Sequence, residues 1–235
     1  MTAKASAFLA ADRVQIFTKV GMDLGEDGKG VSAAHIERAV EASLTRLQTD
    51  YIDLYQSHLF DAAVPQQETL TAYDRLIRAG KVRAIGCSNF DATQLGEALS
   101  LSAAESLPRY ETVQNEYNLR TRLKYEGDLQ DLMLSQGLSL IPFYSLSAGF
   151  LTGKYRTEAD LGQSPRGNSV SRYLNDDGLR VLAAMDQVTA ERGVSHAALA
   201  MAWLLHQPGV LAPLASVTSV AQLTTLLGGG RLALS

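Results

Sequence analysis

The sequence predicts an α/β fold, specifically a (β/α)8 TIM barrel of which six of the eight strands lie in this chain. Short apolar, β-branched segments alternate with helical patterns of about 10–15 residues, which is how βαβ units appear in sequence. Each apolar segment also ends in a polar or titratable residue. No linker or repeat array interrupts the 235 residues, so we expect a single domain over 1–235.

The strands are predicted from apolar segments bounded by glycine-containing or polar turns. In chain order they are 14–20, 52–56, 82–86, 111–115, 138–144 and 210–215. A closed barrel needs eight strands, and the segment 1–12 offers one short helix, over 5–11, but no strand. If the fold is a barrel, its first two strands are expected to be absent from this chain.

The helices are predicted from 3.6-residue apolar periodicity and from residues that start or stop helices. Ser32 is a suitable N-cap because its hydroxyl can accept from a first-turn amide. Gly80 and Gly137 lie where left-handed C-terminal residues are common. The predicted ranges are 33–47, 67–78, 92–103, 124–136, 178–192, 196–205 and 220–227, and a long polar loop is predicted over 149–175.

An open, doubly wound sheet is the alternative fold. Such a sheet usually has a glycine-rich turn after its first strand. The loop after Val20 contains glycines but lacks the G-x-G-x-x-G spacing. The alternation of elements therefore favours the barrel.

Composition excludes several classes of function. The net charge is −4, and no basic stripe suggests binding to nucleic acid or to a membrane surface. No apolar run approaches the ~20 residues that span a bilayer. The single cysteine, Cys87, rules out an internal disulfide and a thiolate-rich metal site, and we interpret it as a buried packing residue. Residues 1–11 lack the apolar centre of a signal peptide, so we expect a cytoplasmic protein. We also expect no bound metal.

Polar residues at the ends of the predicted strands are the candidate site, because βα barrels carry their active sites at the carboxyl ends of the strands. Any one of them could simply form hydrogen bonds with backbone groups or with solvent. Six strands in succession that end in this way favour a shared site. The residues are Lys19, His58, Ser88, Asn89, Gln114, Asn115, Tyr144, Ser145, Ser216 and Thr218.

Lys19 and His58 are the most chemically informative of these. Desolvation can lower the pKa of a lysine at a barrel mouth, and a histidine there can donate to or accept from an oxygen near neutral pH. The alternatives are a surface lysine that extends into solvent and a structural histidine beside Asp61. The remaining histidines lie in helical patterns and are interpreted as structural or surface residues: His35, His196 and His206.

Seven motifs occur in one order along the chain. They are FTKVG (17–21), DYIDLYQSH (50–58), GKVRAIGCSNF (80–90), QNEYNL (114–119), YSL (144–146), GFLTGKY (149–155) and ASVTS (215–219). With them the chain resembles the aldo-keto reductase superfamily from residue 13 to the end. The resemblance is to bacterial oxidoreductases of the type related to potassium-channel β subunits.

The resemblance implies an oxidoreductase that uses NADP, with NAD as the alternative, to reduce aldehyde or ketone carbonyls to alcohols by hydride transfer. Lys19 and His58 match the family's catalytic lysine and histidine. Three residues match those that hold the nicotinamide amide, namely Ser88, Asn89 and Gln114, and Tyr144 matches the aromatic stacked on its ring. Residues at the pyrophosphate and its covering loop would be Ser145, Leu146, Gly149, Lys154 and Arg166. Residues at the adenosine-phosphate end would be Ser216, Thr218 and Gln222.

One departure concerns the catalytic tyrosine and aspartate, which the family carries in a D-T-A-x-x-Y-G motif. That motif does not occur in this sequence, so we expect an N-terminally truncated and impaired reductase. The first alternative is a catalytically inactive nucleotide-binding fragment, or a module completed by a partner. The second is a structural βα fragment without either function. Exposed sheet edges in such a chain would favour a homo-oligomer.

Overall fold

The fold is described from a computed structural model, which describes residues 14–25 and 28–234. The short helix predicted over 5–11 lies outside the described residues. The chain divides into two compact units, Met1–Gln114 and Asn115–Ser235. Each unit is described by itself below.

The first unit alternates strands and helices. Its elements are β1 (Phe17–Val20), α1 (Ala33–Leu47), β2 (Ile52–Ser57), α2 (Gln66–Arg78), β3 (Val82–Ser88), α3 (Ala92–Glu105) and β4 (Tyr110–Gln114). Strands β1 to β4 pair in sequential order, and all three pairings are parallel. The alternation therefore produces the parallel sheet that the sequence predicts.

The register of these strands places their carboxyl ends at the same edge of the sheet. Val20 is opposite Ser57, Ser57 is opposite Cys87, and Ser88 is opposite Gln114. Every residue of β2 is buried, which is typical of a parallel strand covered on both faces.

Two residues predicted to begin or end helices in the first unit, Ser32 and Gly80, have the expected geometry. The Ser32 side chain accepts from the amide of His35 at the start of α1. Gly80 follows α2 with a φ of +73°. Asp91 and Gln94 form a reciprocal capping box at the start of α3, which satisfies two amides that the helix itself leaves unpaired.

A buried tyrosine cluster lies at the centre of the first unit. The Ser57 hydroxyl lies 2.8 Å from that of Tyr73 and 3.1 Å from that of Tyr110. The rings of Tyr55 and Tyr73 meet edge to face. Cys87 is fully buried, and burial raises the pKa of its thiol. This burial agrees with the prediction of a packing residue.

The described elements of the second unit are mostly helices. They are α4 (Asp128–Ser135), β5 (Ser139–Leu140), α5 (Gly167–Val170), α6 (Asp176–Arg192), α7 (His196–Leu205) and α8 (Val220–Gly229), with 3₁₀ turns at Ser147–Thr152, Glu158–Gln163 and Ser171–Tyr173. The prediction that a helix begins at 124 is wrong. Gly127 has a φ of +100°, which a right-handed helix cannot accommodate, so α4 begins at Asp128.

Two predicted strands are reduced in the second unit. Within the described residues, β5 has two residues, and the predicted strand 210–215 is a single parallel bridge between Leu140 and Val210. Pro142 and Pro213 lack the amide that a continuous ladder requires. The described chain thus has five strands instead of the six predicted.

An aromatic and aliphatic core supports the second unit. Phe150 stacks on Tyr173 with ring centroids 5.7 Å apart, and both are buried with Tyr155 and Leu182. The fold class is therefore α/β with alternating strands and helices, consistent with part of a (β/α)8 barrel. Among the described helices, none has the length and apolar character to span a bilayer.

Candidate functional site

Lys19 and His58 lie at the ends of two neighbouring strands of the first unit. Lys19 is in β1 opposite Gln56, and His58 directly follows β2. The amide of His58 donates to the carbonyl oxygen of Val20 at 2.8 Å, which extends the ladder by one step. Strand pairing thus fixes the backbone of both residues at the same edge of the sheet.

Partial burial changes the acid–base properties of this pair. It lowers the pKa of the Lys19 ammonium group. It also lowers the pKa of His58, and the positive charge of Lys19 lowers it further. His58 is therefore neutral near pH 7, with one ring nitrogen available as a donor and the other as an acceptor. A cation and a neutral imidazole side by side are suited to a polarised oxygen atom of a small molecule.

Ser88, Asn89 and Gln114 form a connected group at the ends of β3 and β4. The Ser88 hydroxyl donates to the carbonyl oxygen of Gln114 at 2.6 Å. The Asn89 side-chain amide donates to the carbonyl oxygen of His58 at 3.0 Å and lies 3.2 Å from the Ser88 hydroxyl. Asn89 has a φ of +60°, a conformation that asparagine tolerates better than most residues. Asn89 thereby joins the ends of β2, β3 and β4.

Gln114 offers an acceptor that the described residues do not use. Its side-chain oxygen Oε1 is buried and has no hydrogen-bond partner among them. A buried polar atom without a partner is costly, so a ligand that donates to it would be favoured. The carboxamide of a nicotinamide ring has two N–H groups that fit this requirement.

Tyr144 and Ser145 follow β5 in the second unit. Tyr144 has a φ of +52° and is 45% exposed, and the guanidinium carbon of Arg172 lies 5.3 Å from the centroid of its ring. Asn118 fixes its backbone by donating to the Tyr144 carbonyl oxygen at 3.0 Å. The buried Ser145 hydroxyl lies 2.7 Å from the carbonyl oxygen of Leu214 and so joins two segments of this unit.

The segment after Leu146 has an unusual backbone. Ser147, Ala148 and Gly149 have φ values of +49°, +58° and +103°. Side-chain oxygen Oγ of Ser147 is buried and has no partner within the described residues. The amides of Ser147 and Gly149 already donate to the carbonyl oxygens of Tyr144 and Leu146, so the turn is closed by its own backbone. Strained residues of this kind cluster at ligand sites. This feature was not predicted from the sequence, although three small residues in a row at 147–149 are compatible with it.

The remaining predicted cofactor residues lie on exposed parts of the second unit. The Lys154 ammonium nitrogen lies 4.9 Å from the centroid of the Tyr155 ring. Arg166 is exposed immediately before α5. Thr218 and Gln222 are brought together at the start of α8, where the Thr218 amide donates to Gln222 Oε1 at 2.8 Å. Ser216 is exposed in the extended segment that precedes them.

The structure therefore brings five predicted residues to one edge of the first unit's sheet: Lys19, His58, Ser88, Asn89 and Gln114. The prediction that Tyr144 converges with them stays a prediction. Among residues 14–25 and 28–234, no group of three histidine, cysteine or acidic side chains could hold a metal ion.

Comparison with known proteins gives consistent similarities. The family model described as "Aldo/keto reductase family" matches residues 5–235. A probable voltage-gated potassium channel subunit beta from Oryza sativa subsp. japonica is 34% identical, over 85% of this chain and 62% of that protein. Protein tas from Escherichia coli (strain K12) is 31% identical, over 95% and 72%. L-glyceraldehyde 3-phosphate reductase from the same strain is 29% identical, over 90% and 63%. The chain thus spans about 62% of the length of the plant channel subunit.

Proposed function

The chain belongs to the aldo/keto reductase family, and on that premise we propose that it is an NAD(P)H-dependent oxidoreductase that reduces aldehyde or ketone carbonyls to alcohols. The observation that carries the proposal is the pair Lys19 and His58 at adjacent strand ends, each with a lowered pKa. Such perturbed groups, held by a rigid sheet, are typical of catalytic sites.

The proposed roles follow from the charges of the two groups. When bound, the reduced nicotinamide supplies the hydride. The Lys19 ammonium stabilises the negative charge that develops on the carbonyl oxygen. Since burial lowers the pKa of Lys19, its proton is also more readily given to that oxygen than the proton of a lysine in water. A ring N–H of neutral His58 orients the oxygen through a hydrogen bond.

The cofactor contacts are proposed residue by residue. In the proposal, Gln114 accepts from the nicotinamide carboxamide, and the carboxamide oxygen takes a donor from Ser88 or Asn89. Residues proposed for the remainder of the nucleotide are Tyr144 for the ring, Ser145, Leu146, Gly149, Lys154 and Arg166 for the pyrophosphate, and Ser216, Thr218 and Gln222 for the adenosine end. NADP is the proposed cofactor and NAD is the alternative. A small aldehyde or ketone is the proposed substrate.

The proposal is tested by titrating the protein with NADPH and with NADH, followed by NADPH oxidation with a panel of aldehydes and ketones. We expect turnover that Lys19→Met lowers by about 10²–10⁴-fold, with little change in the dissociation constant for NADPH. Lys81→Met is the matched control, since Lys81 pairs with Glu41 on the surface of the same unit.

Three results would contradict the proposal in different ways. Nucleotide binding without turnover of any substrate would favour the nucleotide-binding alternative. Turnover that Lys19→Met and His58→Asn leave unchanged would remove both residues from the site. Absence of binding to either nucleotide would reject the oxidoreductase function of this chain.

A further inference from the structure

Arg156, two residues after Lys154, makes a bidentate ion pair within the second unit. Its guanidinium donates twice to one carboxylate of α6, from Nη1 to Asp186 Oδ2 at 2.9 Å and from Nη2 to Asp186 Oδ1 at 2.6 Å. Paired donors of this kind specify an orientation as well as a distance. Arg156 lowers the pKa of Asp186, so the carboxylate is charged when the pair forms.

His196, the first residue of α7, is the third member of this group. Its Nε2 lies 2.7 Å from Asp186 Oδ1 and 3.5 Å from Arg156 Nη2. The same ring lies close to Gly153 of the loop, since a Cβ added to this residue would lie 3.0 Å from the His196 Cδ2 atom. Gly153 has a φ of +80°, so a glycine is favoured at this contact. We name Arg156, Asp186 and His196 the clasp.

The clasp also organises the loop on both sides of Arg156. The Arg156 Nε donates to the carbonyl oxygen of Gly153 at 2.8 Å. The backbone amides of Arg156 and Thr157 donate to Asp160 Oδ2 at 2.9 and 2.8 Å. One arginine therefore connects residues 153–160 to α6 and α7.

Global stability does not account for this arrangement. The side chains of Arg156 and Asp186 are 37% and 46% exposed, and ion pairs with that exposure contribute little to folding. Their contacts instead restrict a short segment that carries a cation and has no strand partner among the described residues. Restricting a loop before a ligand arrives reduces the entropy lost on binding.

We propose that the clasp is a positioning device that holds residues 153–160 so that Lys154 is presented to the phosphates of a nucleotide. Arg156 and Asp186 act through Lys154 and touch no reacting atom. The inference rests on the proposed function, because that function assigns the phosphates to Lys154. It adds three residues to which the sequence assigned no role in nucleotide binding.

The test combines two measurements on Arg156→Gln, Asp186→Asn and the double variant. Hydrogen exchange of the amides of 153–163 is measured without nucleotide, and the dissociation rate of NADPH is measured by stopped-flow fluorescence. We expect faster exchange in this segment and about 3–10-fold faster dissociation. The double variant should resemble either single variant, since all three remove the same pair.

Two further variants separate positioning from simple loss of structure. The exchanged pair Arg156→Asp with Asp186→Arg should recover most of the slow dissociation. Arg180→Gln is the matched control, because it removes another ion pair, with Asp177, from the same helix. Arg180→Gln should change neither measurement, and the thermal unfolding midpoint should be similar in all these variants.

The possible failures are distinguishable. If exchange of 153–163 is unchanged, the clasp does not order the segment and the inference is wrong. If exchange rises while NADPH dissociation stays the same in every variant, ordering does not affect nucleotide binding and the inference is again wrong. If the unmodified chain binds no NADPH, the proposed function fails and the phosphate role fails with it, whatever the exchange result.

Discussion

The two units position their candidate site residues by different means. In the first unit, hydrogen-bonded registers of β1 to β4 fix Lys19, His58 and Ser88 at one edge of a sheet. In the second unit, the only strand among the described residues is β5, with two residues, and contacts such as Arg156 with Asp186 fix the loops. A ladder of backbone bonds sets positions largely regardless of side chains. Loops without a ladder depend on particular side chains, so their geometry is more sensitive to substitution.

The largest expected effect compares the cores of the two units. Phe150→Ala should lower the free energy of unfolding by about 3–5 kcal/mol and Ile85→Ala by about 2–5 kcal/mol, because both side chains are buried and leave cavities. Trp203 is the sole tryptophan and lies in the second unit. If the chain is one domain, as the sequence predicts, Ile85→Ala should shift the urea transition followed by Trp203 fluorescence as much as that followed by circular dichroism. If the urea transition followed by Trp203 fluorescence does not shift in Ile85→Ala, the two units unfold independently.

A smaller effect is expected from adding one methyl group at a close approach in each unit. In Gly86→Ala, the new Cβ would meet the Thr112 hydroxyl and lie 3.0 Å from the Thr112 carbonyl oxygen. The rigid sheet cannot yield, so we expect a loss of about 1–3 kcal/mol. Gly153→Ala places alanine at a φ of +80° against His196, which should cost about 1–2 kcal/mol.

The two alanine variants should differ in where they act. Hydrogen exchange in Gly86→Ala should rise across the sheet, whereas in Gly153→Ala it should rise only near 153–163. Urea denaturation measures the free energies. If faster hydrogen exchange extended equally far along the chain in both variants, the proposed difference between a strand ladder and the side-chain clasp would be wrong.

The smallest expected effect is a shift in the titration of His58. NMR should give a pKa below the usual histidine value, because burial and the Lys19 charge both lower it. Lys19→Met should raise this pKa only part of the way, since burial remains the larger cause. An unchanged pKa in Lys19→Met would separate the two residues and weaken the proposed site.

The same shift has a consequence for stability. The folded state binds a proton at His58 less readily than the unfolded state does, so stability is lost as pH falls from about 6.5 through the lowered pKa. His58→Gln should remove this part of the pH dependence. If the free energy of unfolding depends on pH with the same slope in the unmodified protein and in His58→Gln, His58 contributes nothing to that dependence.

Much of the first unit could be predicted from the sequence, because its signals are local. Alternating apolar segments predicted β1 to β4 within a few residues, and the Ser32 cap fixed the start of α1. The common edge on which Lys19, His58, Asn89 and Gln114 lie was predicted from their positions at strand ends, and their role as a site stays a prediction. The shortened strands of the second unit were not predicted, because the apolar pattern outweighed the effect of Pro142 and Pro213 on pairing.

The sequence by itself determined the family, the alternation of strands and helices, and the edge at which the strand-end residues lie. These follow from motifs, periodicity and propensities that act over a few residues. Only the tertiary structure decided that His196, interpreted from its helical pattern as structural or surface, joins Arg156 and Asp186, and that Ser57 meets Tyr73 and Tyr110. Those contacts join residues 10 to 53 positions apart. Packing of whole elements brings them together, and no local pattern encodes that.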